Sequence, residues 1–295
     1  MKISSIKLLL VASTLFTSRA VAQTSDAAIF RITSSHTSFP DTGRANGHTY
    51  NKVLYTAAEH YSDSSVIIIV PPKFKANKKV DVIFWFHGWG NNIDSVPPRY
   101  DLIKQFLASN RNAVLVLAET AKDAPDSYGG KLEQKDIFKL LLDDVLDKLK
   151  SEKVIAKKTT TGNVALVGHS GAYRVMAYIL QNGGVEVKQT ILFDALYSEV
   201  DKYTAWIQAD AKHQFIDIYT DGGGTDKLSI SMMQGLKEKS IAFFSGEEKD
   251  VTATILQNNA IVFMHSLKAH NDVISRPDYN FKFFMENSHA ISKHY

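Results

Sequence analysis

Continuous runs of apolar, mostly β-branched residues recur along this chain and, after the first two, alternate with helical patterns. Val66-Ile67-Ile68-Ile69-Val70 and Val80 to Phe86 are the first two. Ala113 to Ala118, Asn163 to Val167, Thr190 to Phe193, His213 to Tyr219 and Ala260 to Met264 continue the series. The runs do not alternate with polar residues, so a sheet built from them must be covered on both faces. The clearest helix is Lys131 to Lys150, where Phe138, Leu141, Leu142, Val145, Leu146 and Leu149 fall on one stripe. Tyr100 to Asn110, Gly171 to Gln181, Tyr203 to Ala209, Leu228 to Lys239 and Tyr279 to Met285 also read as helical. Strand and helix in alternation predict an α/β fold with a mostly parallel central sheet and helices on both faces. The pattern is broken by no linker, and one domain over residues 23–295 is expected. Residues 23–48 are polar and rich in Ser, Thr and Gly, and are expected to form an N-terminal arm.

The first 22 residues read as a cleaved signal peptide. Lys2 and Lys7 give a basic start, Leu8 to Phe16 is mostly apolar, and Ala20-Val21-Ala22 supplies the small-x-small cleavage pattern. The apolar run is too short for a stable anchor, and the rest of the chain has none long enough to span a bilayer. A secreted or periplasmic protein is therefore expected. Cysteine is absent, which excludes a disulfide framework, a thiolate metal site and a cysteine nucleophile. Removing Lys2, Lys7 and Arg19 takes the formal charge from +3 to neutral. No basic stripe interleaved with aromatics is present, so nucleic acid is not an expected partner.

One stretch carries chemistry. Asn163-Val-Ala-Leu-Val-Gly168-His169-Ser170-Gly171-Ala172 is a strand, a turn of small residues around a serine, and the start of a helix. The same residues would also serve as a glycine-rich turn with a capping serine. Their placement between strand and helix resembles the nucleophile elbow of the α/β-hydrolase family, whose usual pattern is Gly-x-Ser-x-Gly. The resemblance makes Ser170 the nucleophile. Positions two before and two after it must be small to pack together, and Gly168 and Ala172 meet that need. Ala172 departs from the usual glycine but keeps the steric logic.

Val82 to Phe86 followed by His87-Gly88-Trp89-Gly90 resembles the family's oxyanion loop. Two backbone N–H groups are needed there. The resemblance assigns them to Gly171 and Trp89, with His87 orienting the loop through hydrogen bonds. The family places its histidine just beyond the last strand, which points to His270, with His265 second because it reads as the end of that strand. The acid must lie between Ser170 and His270 in the chain. Asp194 ends the strand after the nucleophile helix; Asp221 and Asp226 flank Gly222-Gly223-Gly224 after the next one. Most of the family carries the acid at the later strand, and a minority, pancreatic-type lipases included, at the earlier. A carboxylate directly at an apolar strand end is costly to bury without a task, whereas aspartates beside glycines are ordinary turn residues. Asp194 is favoured, then Asp221, then Asp226.

The resemblance covers roughly residues 60–287. It implies a serine hydrolase with no cofactor and no metal, acting on a small-molecule or polymeric ester through an acyl-enzyme. An amidase or peptidase with the same triad is the alternative, followed by a hydrolase-like binding module that has lost catalysis. Asp126, Ser127 and Tyr128, in the loop after Ala113 to Ala118, either rim the pocket or form a plain surface turn. The absence of a His-Glu-x-x-His spacing disfavours a zinc hydrolase.

Overall fold

The structure, a computed structural model, describes residues 27–275 and 277–294. The expected signal peptide, residues 1–22, lies outside the described residues. In chain order the strands are β1 (Ala28–Thr33), β2 (His48–Tyr50), β3 (Val53–Tyr55), β4 (Ser65–Val70), β5 (Lys79–Phe86), β6 (Ala113–Ala118), β7 (Thr160–His169), β8 (Val187–Phe193), β9 (Gln214–Thr220), β10 (Phe244–Glu247) and β11 (Ile261–Ser266). The α-helices are α1 (Ala57–His60), α2 (Val96–Arg99), α3 (Leu102–Ala108), α4 (Ile137–Ser151), α5 (Tyr173–Asn182), α6 (Val200–Ala209), α7 (Asp226–Glu238), α8 (Ala253–Asn258) and α9 (Asn280–Glu286). Apart from the β2–β3 hairpin, the strands join one sheet in the order β1-β4-β6-β5-β7-β8-β9-β11-β10. Strand β4 runs antiparallel to both of its neighbours, and every pair from β6 to β10 is parallel.

Alternate residues of each buried strand feed two separate cores. Val82, Phe84 and Phe86 pack with Phe138 and Leu142 of α4, Met176 of α5, Tyr203 of α6 and Leu236 of α7. Ile83 and Trp85 point the other way, into a core shared with Phe106 of α3, Leu256 of α8 and Phe281 and Phe284 of α9. Phe84 meets Phe138 edge-on at 4.7 Å, and Trp85 meets Phe281 at 5.0 Å on the opposite face. Full burial of each such side chain contributes on the order of 1.5–3 kcal/mol. The two covered faces explain why the strands are apolar on both sides, with only a few buried polar residues such as Asp81, Gln189 and Asp217. Among the described residues, no helix is long and apolar enough to cross a membrane.

The N-terminal segment is not the loose arm that its polar composition suggests. Its described part contributes β1, which pairs antiparallel with β4 from Ala28↔Val70 to Thr33↔Ser65. As an edge strand it needs only one apolar face, and Phe30 and Ile32 supply it against the core. Phe39 is fully buried and packs edge-on against Tyr61 at 5.0 Å. The helix read over Lys131 to Lys150 begins later, at Ile137. A 3-10 turn spans Gly130–Glu133, and Asp136 takes a left-handed φ of 63°. The N–H groups of Asp136 and Lys139 donate to the carbonyls of Asn182 and Gly183, which breaks the run and docks α4 against the end of α5. The segment between Ile241 and Asn259 holds β10 and α8.

Arg111 fastens the C-terminus to this frame. It is buried; Nε donates to the Met285 carbonyl at the end of α9, and Nη1 donates to Ile291 O at 2.8 Å. Burial pushes its guanidinium down to about 10, with Glu286 opposing the shift. Arg111→Met is expected to take the side-chain donor from both carbonyls, leaving Ile291 O unpaired, since Met285 O keeps the Ser288 N–H, and to destabilise the protein by about 1–3 kcal/mol. Urea denaturation reads this as a lower midpoint at unchanged slope; an unchanged midpoint would show that the anchor is dispensable.

Candidate active site

Parallel register brings the predicted residues to one end of the sheet. His169 pairs with Phe193 across β7 and β8, so Ser170 and Asp194 are the next residues along neighbouring strands. Phe86 pairs with Gly168, which places His87 beside the same turn. Ser266 pairs with Thr220, and the chain reaches His270 four residues beyond β11. This is the carboxyl edge of the parallel strands, where α/β sheets present their functional groups.

Ser170 sits at φ 55°, in the left-handed region, between the end of β7 and a 3-10 turn over Ser170–Ala172 that runs into α5. A residue with a Cβ is strained there. The turn needs small neighbours: a Cβ on Gly168 would stand 2.7 Å from the Ala172 Cβ and 2.4 Å from Met176 Sδ. Ala172 is compatible because Gly168 yields the space.

Asp194 is fully buried and also left-handed, at φ 45°. Its Oδ2 lies 2.6 Å from His270 Nδ1. The remaining lone pairs are taken by Thr220, whose N–H and hydroxyl donate at 3.1 and 2.7 Å, and by the Thr225 hydroxyl. Burial alone would raise this carboxyl. The hydrogen bonds from His270, Thr225 and Thr220 outweigh it and hold Asp194 below the ordinary range, so it is ionised at neutral pH. An ionised Asp194 keeps the His270 proton on Nδ1 and leaves a lone pair on Nε2, the tautomer a general base requires.

His169 is buried, and its ring lies 4.5 Å from that of His270. Its Nε2 donates to the His270 carbonyl at 3.1 Å, docking the histidine loop on the elbow. Burial, helped by His270, pushes its pKa down to about 3, so it stays neutral.

The other candidates are placed elsewhere. Asp221 is bonded to His265 Nε2 at 3.0 Å, and Glu247 meets Nδ1 of the same ring at 3.0 Å. The Glu247 bond, and after it Asp221, raises the His265 pKa against the effect of burial, which favours a cation rather than a base. His265, Asp221 and Asp226 line a separate cavity of about 330 Å³ with Tyr219, Ile230 and Glu247.

No family model and no curated protein matches the sequence. Solved structures do. A feruloyl esterase module from Clostridium thermocellum, solved with sinapinate, is 13% identical and covers 91% of this chain and 90% of its own at a TM-score of 0.52. An S-formylglutathione hydrolase from Staphylococcus aureus is 10% identical, with 89% and 100% covered, at 0.51. A fluorophosphonate-binding serine hydrolase from Staphylococcus aureus is 11% identical, with 89% and 99% covered, at 0.50. The fold is that of the α/β hydrolases.

Within this α/β-hydrolase frame the loop after β5 is held by His87, which the sequence marked as its anchor, and by a partner the sequence did not announce. Glu119, fully buried just beyond β6, lies 2.6 Å from His87 Nε2 and accepts from the N–H groups of Ile93 and Thr120. His87 Nδ1 donates to Gly88 O at 2.8 Å. Burial opposes the charge on His87, but Glu119 outweighs it and raises the pKa. The loop is thereby pinned at its root. Gly90 N–H donates to Ala124 O at 3.1 Å, while among the described residues the N–H of Trp89 has no acceptor. The Trp89 indole lies across Gly171, where a Cβ would stand 2.4 Å from Cδ1, and donates to Ser127 Oγ at 2.7 Å. Asp126 is bound by Arg44 and Tyr128 by Asp41, which ties this loop to the N-terminal segment.

Sequence reasoning did not single out Thr220, Thr225 or Glu119. The threonines bracket the glycine run, whose sequence reads as a plain turn, and that run is tight for a reason. A Cβ on Gly223 would stand 1.8 Å from Asp194 Oδ2. Gly223→Ala is therefore expected to displace the carboxylate and lower turnover by about 10²-fold, the usual scale for a misplacement of this size. Steady-state kinetics checks it; wild-type kcat in the variant would show that Asp194 tolerates the displacement.

Proposed function

We propose that this chain is an exported serine hydrolase that cleaves carboxylic esters through an acyl-enzyme. The observation that carries the reading is the buried, ionised Asp194 paired with His270 beside a serine held at a left-handed turn. Esterase and serine-hydrolase neighbours in the same fold support it. Export rests on the basic start, short apolar run and Ala20-Val21-Ala22 of the leader.

In this mechanism Ser170 Oγ attacks the ester carbonyl carbon while His270 Nε2 takes the hydroxyl proton. The carbonyl oxygen becomes an oxyanion that receives hydrogen bonds from the N–H groups of Trp89 and Gly171. Asp194 stabilises the imidazolium without taking its proton. The C–O bond then breaks, and the alkoxide leaves with the proton from His270. Water, deprotonated by the same Nε2, attacks the acyl carbon; the proton passes back to Ser170 and the carboxylic acid departs. Thr220 and Thr225 keep Asp194 from swinging out of line, and Glu119 with His87 keeps the Trp89 N–H in place. Carboxylic esters are favoured over amides because their leaving groups demand less protonation.

A fluorophosphonate probe tests the reading directly. It should label the protein once, on Ser170, and abolish hydrolysis of a short p-nitrophenyl ester. Failure to label would point to a binding module. Labelling with turnover of anilides but not esters would point to an amidase.

A further inference from the structure

At the opposite end of the sheet from Ser170, three segments bring together ligand atoms that the hydrolase reading does not use. Glu186 immediately precedes β8, Asp210 follows α6, and His213 immediately precedes β9. One ring nitrogen of His213 and one carboxylate oxygen from each acid lie within 4.8 Å of one another. We infer that His213, Asp210 and Glu186 form a structural site for a divalent cation of the zinc class.

The argument rests first on the imidazole. His213 is 6% exposed and stacks on Trp206 at 4.4 Å with the rings 7° from parallel. Its Nδ1 donates to the Trp206 carbonyl at 2.7 Å. That bond fixes the proton on Nδ1 and leaves a lone pair on Nε2. Nε2 is buried and, among the described residues, has no hydrogen-bond partner. A buried lone pair without a donor is costly and calls for an occupant. The arrangement also matches metal-bound histidines, whose second nitrogen habitually donates to a carbonyl or carboxylate that sets the tautomer.

Asp210 is oriented in the same way. Its Oδ1 accepts the Lys212 N–H at 2.9 Å, and its backbone carbonyl accepts the His213 N–H at 2.9 Å. Oδ2 is left facing a cation, at present the ammonium of Lys188 at 3.4 Å, which also pairs with Glu186. A lysine bridging two carboxylates shows that the place wants positive charge. A metal ion would displace this flexible, surface-reaching side chain. One imidazole nitrogen and two carboxylates suit zinc, with water as the fourth ligand, better than calcium or magnesium, which prefer oxygen alone. A cavity of about 490 Å³ lies alongside, bordered by Lys188, Ala211, Lys212 and Gln214, the sequence neighbours of the three ligands. Bound there, it would pin the α6–β9 loop to the start of β8.

The site is tested on EDTA-stripped protein by calorimetric titration with Zn²⁺ and by thermal melting. One zinc ion should bind, and the melting midpoint should climb with the logarithm of zinc concentration. Mg²⁺ at equal concentration should do neither. His213→Gln and Asp210→Asn should each weaken that binding by about tenfold or more, on the scale of lost ligand shells. Lys188→Met should strengthen it, because the competing ammonium is gone; this arm reads a gain and so survives a poorly folding His213 variant. Ester hydrolysis should be equal with and without zinc, which keeps the outcome separate from the catalytic reading. Absence of zinc binding, or zinc binding untouched by all three variants, overturns the site. So does a Lys188→Met protein that is merely less stable with no gain in zinc affinity.

Discussion

Ser170→Ala should abolish ester hydrolysis, with kcat lowered by ~10⁴-fold or more. Triad members act as a unit, so loss of the nucleophile removes most of what the three supply together. What remains is the modest catalysis of the oxyanion site and of binding. The structure also says what the change should spare. Ser170 is held at φ 55°, and alanine has the same Cβ, so the backbone strain of the turn is unaltered. The core faces of β7 and α5 are untouched, since Val167 and Met176 pack away from the hydroxyl into the two cores. Melting of the variant should therefore match the wild type within a degree or two, while turnover and fluorophosphonate labelling both vanish. Retention of more than a tenth of the activity would exclude Ser170 as nucleophile.

The parts of this molecule that were legible in the sequence are those where burial is two-sided and local. The central strands β4 to β9 and β11 announce themselves because most of their residues face one core or the other, and the α4 stripe because its inward positions are all aliphatic or aromatic. The elbow was legible because close packing of Gly168 on Ala172 forbids larger residues. Strand β1 was obscured because an edge strand hides only alternate side chains, and Phe30 and Ile32 are diluted by Arg31 and a polar flank. The kink before α4 was invisible because the groups that break it, the carbonyls of Asn182 and Gly183, lie far along the chain. The support of Asp194 was hidden for the same reason. Thr220 and Thr225 matter only once β8 and β9 are adjacent, and neither shows a special pattern of its own.

Those threonines bear on the second large expected effect. Asp194→Asn should lower kcat by ~10⁴-fold, as in the protease case where the histidine is left in the wrong tautomer, and Asp221→Asn should not. The amide of Asn offers N–H where His270 Nδ1 now meets a carboxylate oxygen at 2.6 Å, so the ring must keep its lone pair on Nδ1 and turn a proton toward Ser170. Rotating the amide does not rescue it, because Oδ1 and Oδ2 both accept from hydroxyl or N–H donors of Thr220 and Thr225. One of those donors must then face another donor, at a cost on the order of 1–3 kcal/mol. This loss has a pH signature. Folding holds the Asp194 carboxyl below its ordinary value, so its contribution to stability is present above an unfolded pKa of about 3.9 and fades as pH falls through the folded one. The stability gap between wild type and Asp194→Asn should accordingly be open at pH 7 and narrow in acid. Asp221 has a largely exposed side chain bonded to His265, away from the elbow, so its variant should change neither turnover nor that gap. Loss of activity in Asp221→Asn with a working Asp194→Asn would move the acid one strand later, to β9.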